Sequence, residues 1–219
     1  MPSLIKDMVV FLSEVPRSFQ TMGAMLPSSC FLGESLCSNI DSLGRPRTIL
    51  EVGPGTGAVT RQLVAKLTKE DTLILCEVNP RFVKLLKEKF KTDPVLRDCE
   101  AEVIFFEGYV QELPKEFPDL SVDFIVSSIP FANLGPNIVQ DILSLYRAMM
   151  RSGGTVSFYE YIGARRCKQF FSPKVTRQRV RAVSGIVSNW QLIASNEGKF
   201  AESVTLLNVP PARAVHLSF

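Results

Sequence analysis

From Thr48 onward, short apolar runs alternate with stretches whose apolar residues recur every three to four positions. The runs Thr48 to Val52, Thr72 to Glu77, Glu102 to Phe106, Val122 to Ser127 and Thr155 to Tyr159 read as strands, bounded by Gly, Pro, Asn and Asp. Between them, helical periods open near Ala58 (to Leu67), near Pro80 (to Phe90) and at Gly135 (to Met150), and Gly153-Gly154 reads as a turn into the fifth strand. Trp190 to Ala194 and Ala214 to Phe219 read as a closing pair of strands. The pattern predicts an α/β fold: a seven-stranded, mostly parallel, doubly wound sheet with helices on both faces and ligands outside the C-terminal strand ends.

A different pattern precedes it. Leu4, Ile5, Met8, Val9, Phe11, Leu12 and Val15 keep a helical period with Lys6, Asp7, Ser13 and Glu14 opposite, and the helix ends before Pro16. Its stripe can pack on the domain, or lie in a membrane interface with Met8, Phe11 and Leu12 toward lipid. A second helical stretch, from Cys30 to Asn39, starts at Pro27-Ser28-Ser29, where serine can cap. With Phe19 and Met22 ahead of it, this brings apolar side chains where a lid over a cofactor pocket needs them. Asp41 to Arg47 is a polar linker, so residues 1–44 read as a helical extension for a lid or membrane docking, and residues 45–219 as the main domain.

Composition narrows the chemistry. The 219 residues are 46% apolar and 21% charged, enough for a sizeable core in one domain with a small attachment. Net charge is only +3, so any basic surface must come from clustering, and Arg165, Arg166, Lys168, Lys174, Arg177, Arg179 and Arg181 do cluster, with Phe170 and Phe171 among them. Such a run suits lipid phosphate or nucleic-acid phosphate equally. Five cysteines without a C-x-x-C pair argue against a disulfide framework and a zinc site. A single histidine, His216, argues against a Ser-His-Asp triad or a histidine-rich metal centre. No apolar run has the roughly 18 residues of a membrane span, and no secretory signal is visible, so a cytoplasmic protein is expected.

The chemistry centres on Glu51-Val-Gly53-Pro-Gly55-Thr56-Gly57, between the first strand and its helix. Glycines without Cβ let the turn take positive φ and the backbone approach a ligand, with amides pointing at it from a helix N-terminus. Gly53, Gly55 and Ala58 also satisfy the dinucleotide spacing, with Glu77 placed for a ribose. Glu51 weighs against that reading, because a pyrophosphate repels a carboxylate so placed.

With Gly57, the stretch resembles the first motif of class I S-adenosylmethionine (SAM) methyltransferases, E-x-G-x-G-x-G. Within that superfamily the chain resembles bacterial phospholipid N-methyltransferases related to ribosomal RNA adenine dimethylases. Gly23-Ala-Met-Leu-Pro-Ser-Ser29 is similar to a stretch ahead of that lipid subgroup's core. The resemblance implies a Rossmann-like class I methyltransferase fold and SAM as cofactor, with S-adenosylhomocysteine as product. Glu51 would meet the cationic methionine end, Gly53, Gly55, Thr56 and Gly57 would border the cofactor, Glu77 and Val78 would hold the ribose side, and Gly108, Tyr109, Val110 and Ser127 would complete the site. The residue after Gly108 is commonly aspartate in the family; with Tyr109 there, adenine would stack on an apolar wall of Tyr109 and Val110.

The loop after the fourth strand reads Ser128-Ile129-Pro130-Phe131, where the adenine dimethylases carry Asn-Leu-Pro-Tyr or a near relative. The aromatic is kept and the amide that grips a base is not, which argues against nucleic acid and for an alkyl amine. Phe131 can meet a methylammonium by cation–π attraction, about 0.5 to 2 kcal/mol. Ser128, Phe131, Tyr159 and Glu160 are the candidate catalytic residues. Alternation along a strand lets only part of Tyr159-Glu160-Tyr161 face inward. The expected activity is SAM-dependent N-methylation of the phosphatidylethanolamine headgroup, and of its mono- and dimethyl products, by a monomer bound peripherally to the inner face of the membrane. Met8, Phe11, Phe19, Tyr161, Arg165, Arg166 and Lys168 would meet the lipid or the anionic membrane surface. The alternatives are RNA adenine N6-methylation and a non-catalytic SAM- or lipid-binding module.

Overall fold

Five of the apolar runs pair side by side in one direction. In the computed structural model, which describes residues 28–162, 174–205 and 211–219, β1 (Thr48–Val52), β2 (Thr72–Glu77), β3 (Glu102–Glu107), β4 (Val122–Ser127) and β5 (Met150–Tyr161) are parallel. β6 (Lys199–Thr205) and β7 (Ala212–Ser218) complete the order β3-β2-β1-β4-β5-β7-β6, with β7 antiparallel to both of its neighbours. The expected seven-stranded Rossmann-like sheet is present. The first helix expected from residues 3–15, with Met8 and Phe11, lies outside the described residues, as do Phe19, Arg165, Arg166 and Lys168.

Several helices start where the chain supplies a cap or a proline. Asn79 accepts the Arg81 N–H at 3.0 Å and Pro80 opens α3 (Pro80–Thr92), which follows α1 (Ser28–Leu36) and α2 (Ala58–Val64). α4 (Pro94–Arg97) and α5 (Leu113–Glu116) are single turns, and α6 (Pro136–Met149) buries Val139, Ile142, Leu143, Tyr146 and Met149 along one stripe. Strand alternation sends Val52, Ile125, Phe158 and Val215 to the α6 face, and Ile49, Leu75, Val126 and Ala214 to a second core that includes Leu32 and Leu36 of α1. α1 is thus packed on the sheet through an apolar face, with Phe31 left 44% exposed.

The end of the chain departs from the expected pattern. Trp190 to Ala194 is not a strand: it belongs to α7 (Lys174–Glu197), whose Val180, Val183, Val187, Trp190 and Ala194 are buried at helical spacing. The strand beside β7 is instead Lys199–Thr205, a mostly exposed edge. β5 begins at Met150, and Gly153 at φ 79° bends within it beside a shift of register opposite Val122 and Phe124.

Ion pairs lock the sheet at the end opposite the glycine turn. Arg47 donates from Nε and Nη2 to Asp71 at 3.1 and 2.6 Å, and Asp123 accepts the Thr48 N–H at 2.8 Å with Arg45 and Arg151 each at 2.6 Å. Burial alone would raise the Asp71 carboxyl, but the bonds from Arg47 and Thr68 hold it well below the usual carboxylate range.

Candidate active site

The turn after β1 is built from its glycines. Gly53, Gly55 and Gly57 sit at φ 73°, 56° and 85°, the left-handed region that only glycine takes freely. At Gly57 a Cβ would also come within 2.8 Å of Leu86 Cδ2, so α2 and α3 approach closely at this point. Neighbouring strands hold the turn: Gly53 N–H donates to Cys76 O at 2.9 Å, and Ser128 N–H to Val52 O at 2.8 Å. Lys89, reaching from α3, donates to Thr56 O at 2.6 Å.

Glu51 lies directly beneath this turn and is fully buried, and neither carboxylate oxygen has a hydrogen-bond partner among the described residues. The Thr60 hydroxyl, at the start of α2, is likewise buried without one. Burial pushes the Glu51 carboxyl up to about 8; the Thr60 hydroxyl pulls the other way and the Glu77 charge adds to the rise. At neutral pH such a group holds its proton, and a cation brought beside it favours the ionised form instead.

Glu77 ends β2 with its two oxygens turned to backbone donors. Gly55 N–H donates to Oε2 at 3.0 Å and Asn79 N–H to Oε1 at 2.9 Å. Desolvation raises its pKa, and these amide bonds oppose the rise. Each oxygen keeps a second acceptor site for a hydroxyl. Val78, half-buried, follows it. Gly108 N–H donates to Glu77 O at 3.0 Å, tying the loop after β3 to the same strand end, and the Tyr109 N–H donates to Glu112 Oε2 at 2.9 Å. Tyr109 is half-buried and Val110 is a core side chain.

After β4, the Ser127 hydroxyl accepts the Tyr146 hydroxyl at 3.0 Å and is buried toward α6, where it supports the loop from below. Ser128 Oγ is buried with no partner among the described residues, and Ile129 Cγ1 would lie 3.5 Å from a Cβ on Gly53, so this loop and the glycine turn share a wall. Phe131 is 2% exposed and packs on Phe158 with ring centroids 5.2 Å apart. It is a core ring in this structure, with Pro130 and Ile129 more open to the cleft.

The end of β5 splits by alternation, as the sequence pattern requires. Tyr159 and Tyr161 pair edge to face at 5.1 Å on the α1 side, whereas Glu160 takes the Phe158 side. Burial raises the Tyr159 hydroxyl well above its ordinary value, so it stays protonated. Glu160 Oε2 accepts Arg213 Nε and Nη2 at 3.1 and 2.7 Å. Sequence reading missed Thr60, Lys89, Tyr146 and Arg213; only Thr60, one helical turn into α2, had any positional signal. Among the described residues no group of three or more His, Cys, Asp or Glu could hold a metal.

A family model described as a methyltransferase domain matches residues 49–154. Those residues form a methyltransferase domain. The chain is similar to an ornithine lipid N-methyltransferase of Singulisphaera acidiphila, 25% identical over 154 residues, covering 69% of this chain and 76% of that protein. It is also similar to a Caenorhabditis elegans protein named "Probable dimethyladenosine transferase", 29% identical over 164 residues and 75% of this chain, though it spans only 46% of that relative. Among solved structures, the O-methyltransferase of Bacillus cereus in complex with S-adenosylhomocysteine gives a TM-score of 0.62 at 13% identity, covering 96% of this chain and 91% of that one. The O-methyltransferase TomG of Streptomyces achromogenes, in complex with SAM, gives 0.59 at 12%, covering 94% and 96%. These likenesses show the class I methyltransferase fold.

A methyltransferase domain on this fold implies SAM as methyl donor, and the residues present fit it. The orphaned Glu51 carboxylate asks for a cation, the glycine turn leaves room at Gly55, where a Cβ would meet nothing within 4 Å, and Glu77 faces the turn with acceptor capacity to spare.

Proposed function

We propose that this methyltransferase transfers a methyl group from SAM to the amine of a membrane lipid headgroup, with phosphatidylethanolamine and its partly methylated forms as the leading substrates. The observation that carries the reading is the loop Ser128-Ile129-Pro130-Phe131. It abuts the glycine turn, yet it offers one buried hydroxyl and an apolar wall where a nucleobase edge would need an amide. The likeness to an ornithine lipid N-methyltransferase supports the same substrate class.

SAM, when bound, supplies an electrophilic methyl on a cationic sulfur. Glu51 would hold the cationic methionine end, Glu77 the ribose hydroxyls, and Gly108, Tyr109 and Val110 the adenine side. The lipid amine, with an ordinary pKa near 10, must reach the site as the free base. Apolar Ile129 and Pro130 favour this form by excluding water from the nitrogen, and placement then does most of the remaining work. The basic run from Arg165 to Arg181 and the apolar stripe of residues 4–15 would recruit the enzyme to an anionic membrane. Among the described residues no helix is long and apolar enough to cross one.

Adenine N6-methylation of RNA is the second reading, favoured by the likeness to the dimethyladenosine transferase. The two separate when the protein is incubated with methyl-labelled SAM, vesicles containing phosphatidylethanolamine, and RNA together. Label in the lipid fraction is expected; label in RNA alone overturns the lipid reading.

A further inference from the structure

Resting on the lipid reading, we propose that Arg213 is the specificity-determining residue that binds the anion of a zwitterionic headgroup, while the amine enters the methyl-transfer site.

Register places it. Ser127 pairs with Phe158 and Phe158 with Val215, forming the rung of the sheet that carries the Phe131–Phe158 aromatic floor. Two residues further out on the same face, Glu160 pairs with Arg213 and Arg213 with Val204. At about 3.3 Å per residue, this rung stands some 7 Å beyond the floor. It is the next rung out on that face and carries a charged pair across β5 and β7, at the strand ends where ligands of this fold bind.

The guanidinium is aimed and only partly sheltered. Nε and Nη2 donate to Glu160, Nη1 donates to Glu202 Oε2 at 2.9 Å, and the side chain keeps 27% of its exposure. Among the described residues, three of five N–H groups are used in these bonds, which leaves one on each terminal nitrogen. Two carboxylates therefore fix the plane of a fork whose remaining donors suit the paired oxygens of a phosphate or a carboxylate. The ligand chemistry is an amine a few bonds from an anion, met in an ethanolamine phospholipid, where the anion is phosphate, and in an ornithine lipid, where it is carboxylate.

The test compares kcat/KM on three amines in the same neutral-detergent micelles: phosphatidylethanolamine, an ornithine lipid and a plain long-chain alkylamine. In R213Q and R213K, the zwitterionic lipids should lose about tenfold or more relative to the alkylamine, chiefly through KM, with SAM affinity unchanged. A loss confined to one lipid identifies phosphate or carboxylate as the anion read. Equal losses on all three amines, or no loss, overturn the assignment, the first making Arg213 a structural ion pair. If the wild type methylates none of the amines, the lipid reading itself fails, and that is seen before any variant is compared.

Discussion

Gly55 and Glu77 are joined by a 3.0 Å hydrogen bond from the glycine N–H to Oε2, so the turn after β1 and the end of β2 form one unit before any ligand arrives. The bond makes Glu77 both an expected ribose acceptor and the clamp that shapes the glycine turn. Glu77→Ala should lower SAM affinity by about 100-fold or more, since two hydrogen bonds to a charged acceptor are worth roughly 1.5 to 3 kcal/mol each. It should also lower the melting temperature, because the amides of Gly55 and Asn79 lose their acceptor. Calorimetric titration with SAM and thermal unfolding check the two halves separately.

Glu51 should oppose folding where it serves binding. Its folded carboxyl is raised to about 8 from an unfolded value of 4.5. The stability associated with it is therefore fully present below pH 4.5 and lost as pH rises through 8. Glu51→Gln should stabilise the ligand-free protein by up to roughly 3 kcal/mol at pH 7 and by little at pH 4.5, while weakening SAM. Denaturant unfolding at several pH values gives the sign directly.

Asp71 should behave in the opposite sense. Its folded pKa is lowered, so its contribution is present above the ordinary carboxylate pKa and lost as pH falls through the folded value. Asp71→Asn leaves the buried Arg47 guanidinium without its partner and should cost about 3 to 5 kcal/mol at pH 7. The cost should shrink in strong acid, as followed by urea unfolding across the acid range.

Phe131 should affect the fold as well as turnover. At 2% exposure against Phe158, Phe131→Ala should cost about 3 to 5 kcal/mol of stability. Phe131→Leu keeps most of the volume, and a loss of lipid methylation in that variant, with normal SAM affinity and melting temperature, assigns the ring a part in the site.

The parallel strands were readable because their runs are apolar on both faces and end in residues that cannot stay in a core unaided: Glu51, Glu77 and Ser127. The Trp190 to Ala194 run was misread because five mostly apolar residues fit either period, and Val180, Val183 and Val187, which fix the helical one, lie upstream. The edge strand Lys199–Thr205 carries little apolar signal, being exposed along most of its length. The glycine turn and its carboxylates were visible as a local motif. Arg213 was not, because it meets Glu160 across 53 residues, and only the antiparallel register of β5 with β7 joins them.

The measurement that bears most directly on the whole account is calorimetric titration of the wild-type protein and Glu51→Gln with SAM, S-adenosylhomocysteine and NAD. The account predicts that the wild type binds SAM and not NAD, and that Glu51→Gln weakens both SAM and S-adenosylhomocysteine, whose amino-acid ends each keep an ammonium group. Binding of NAD in the glycine turn, or unchanged affinity of Glu51→Gln for both nucleosides, would contradict it.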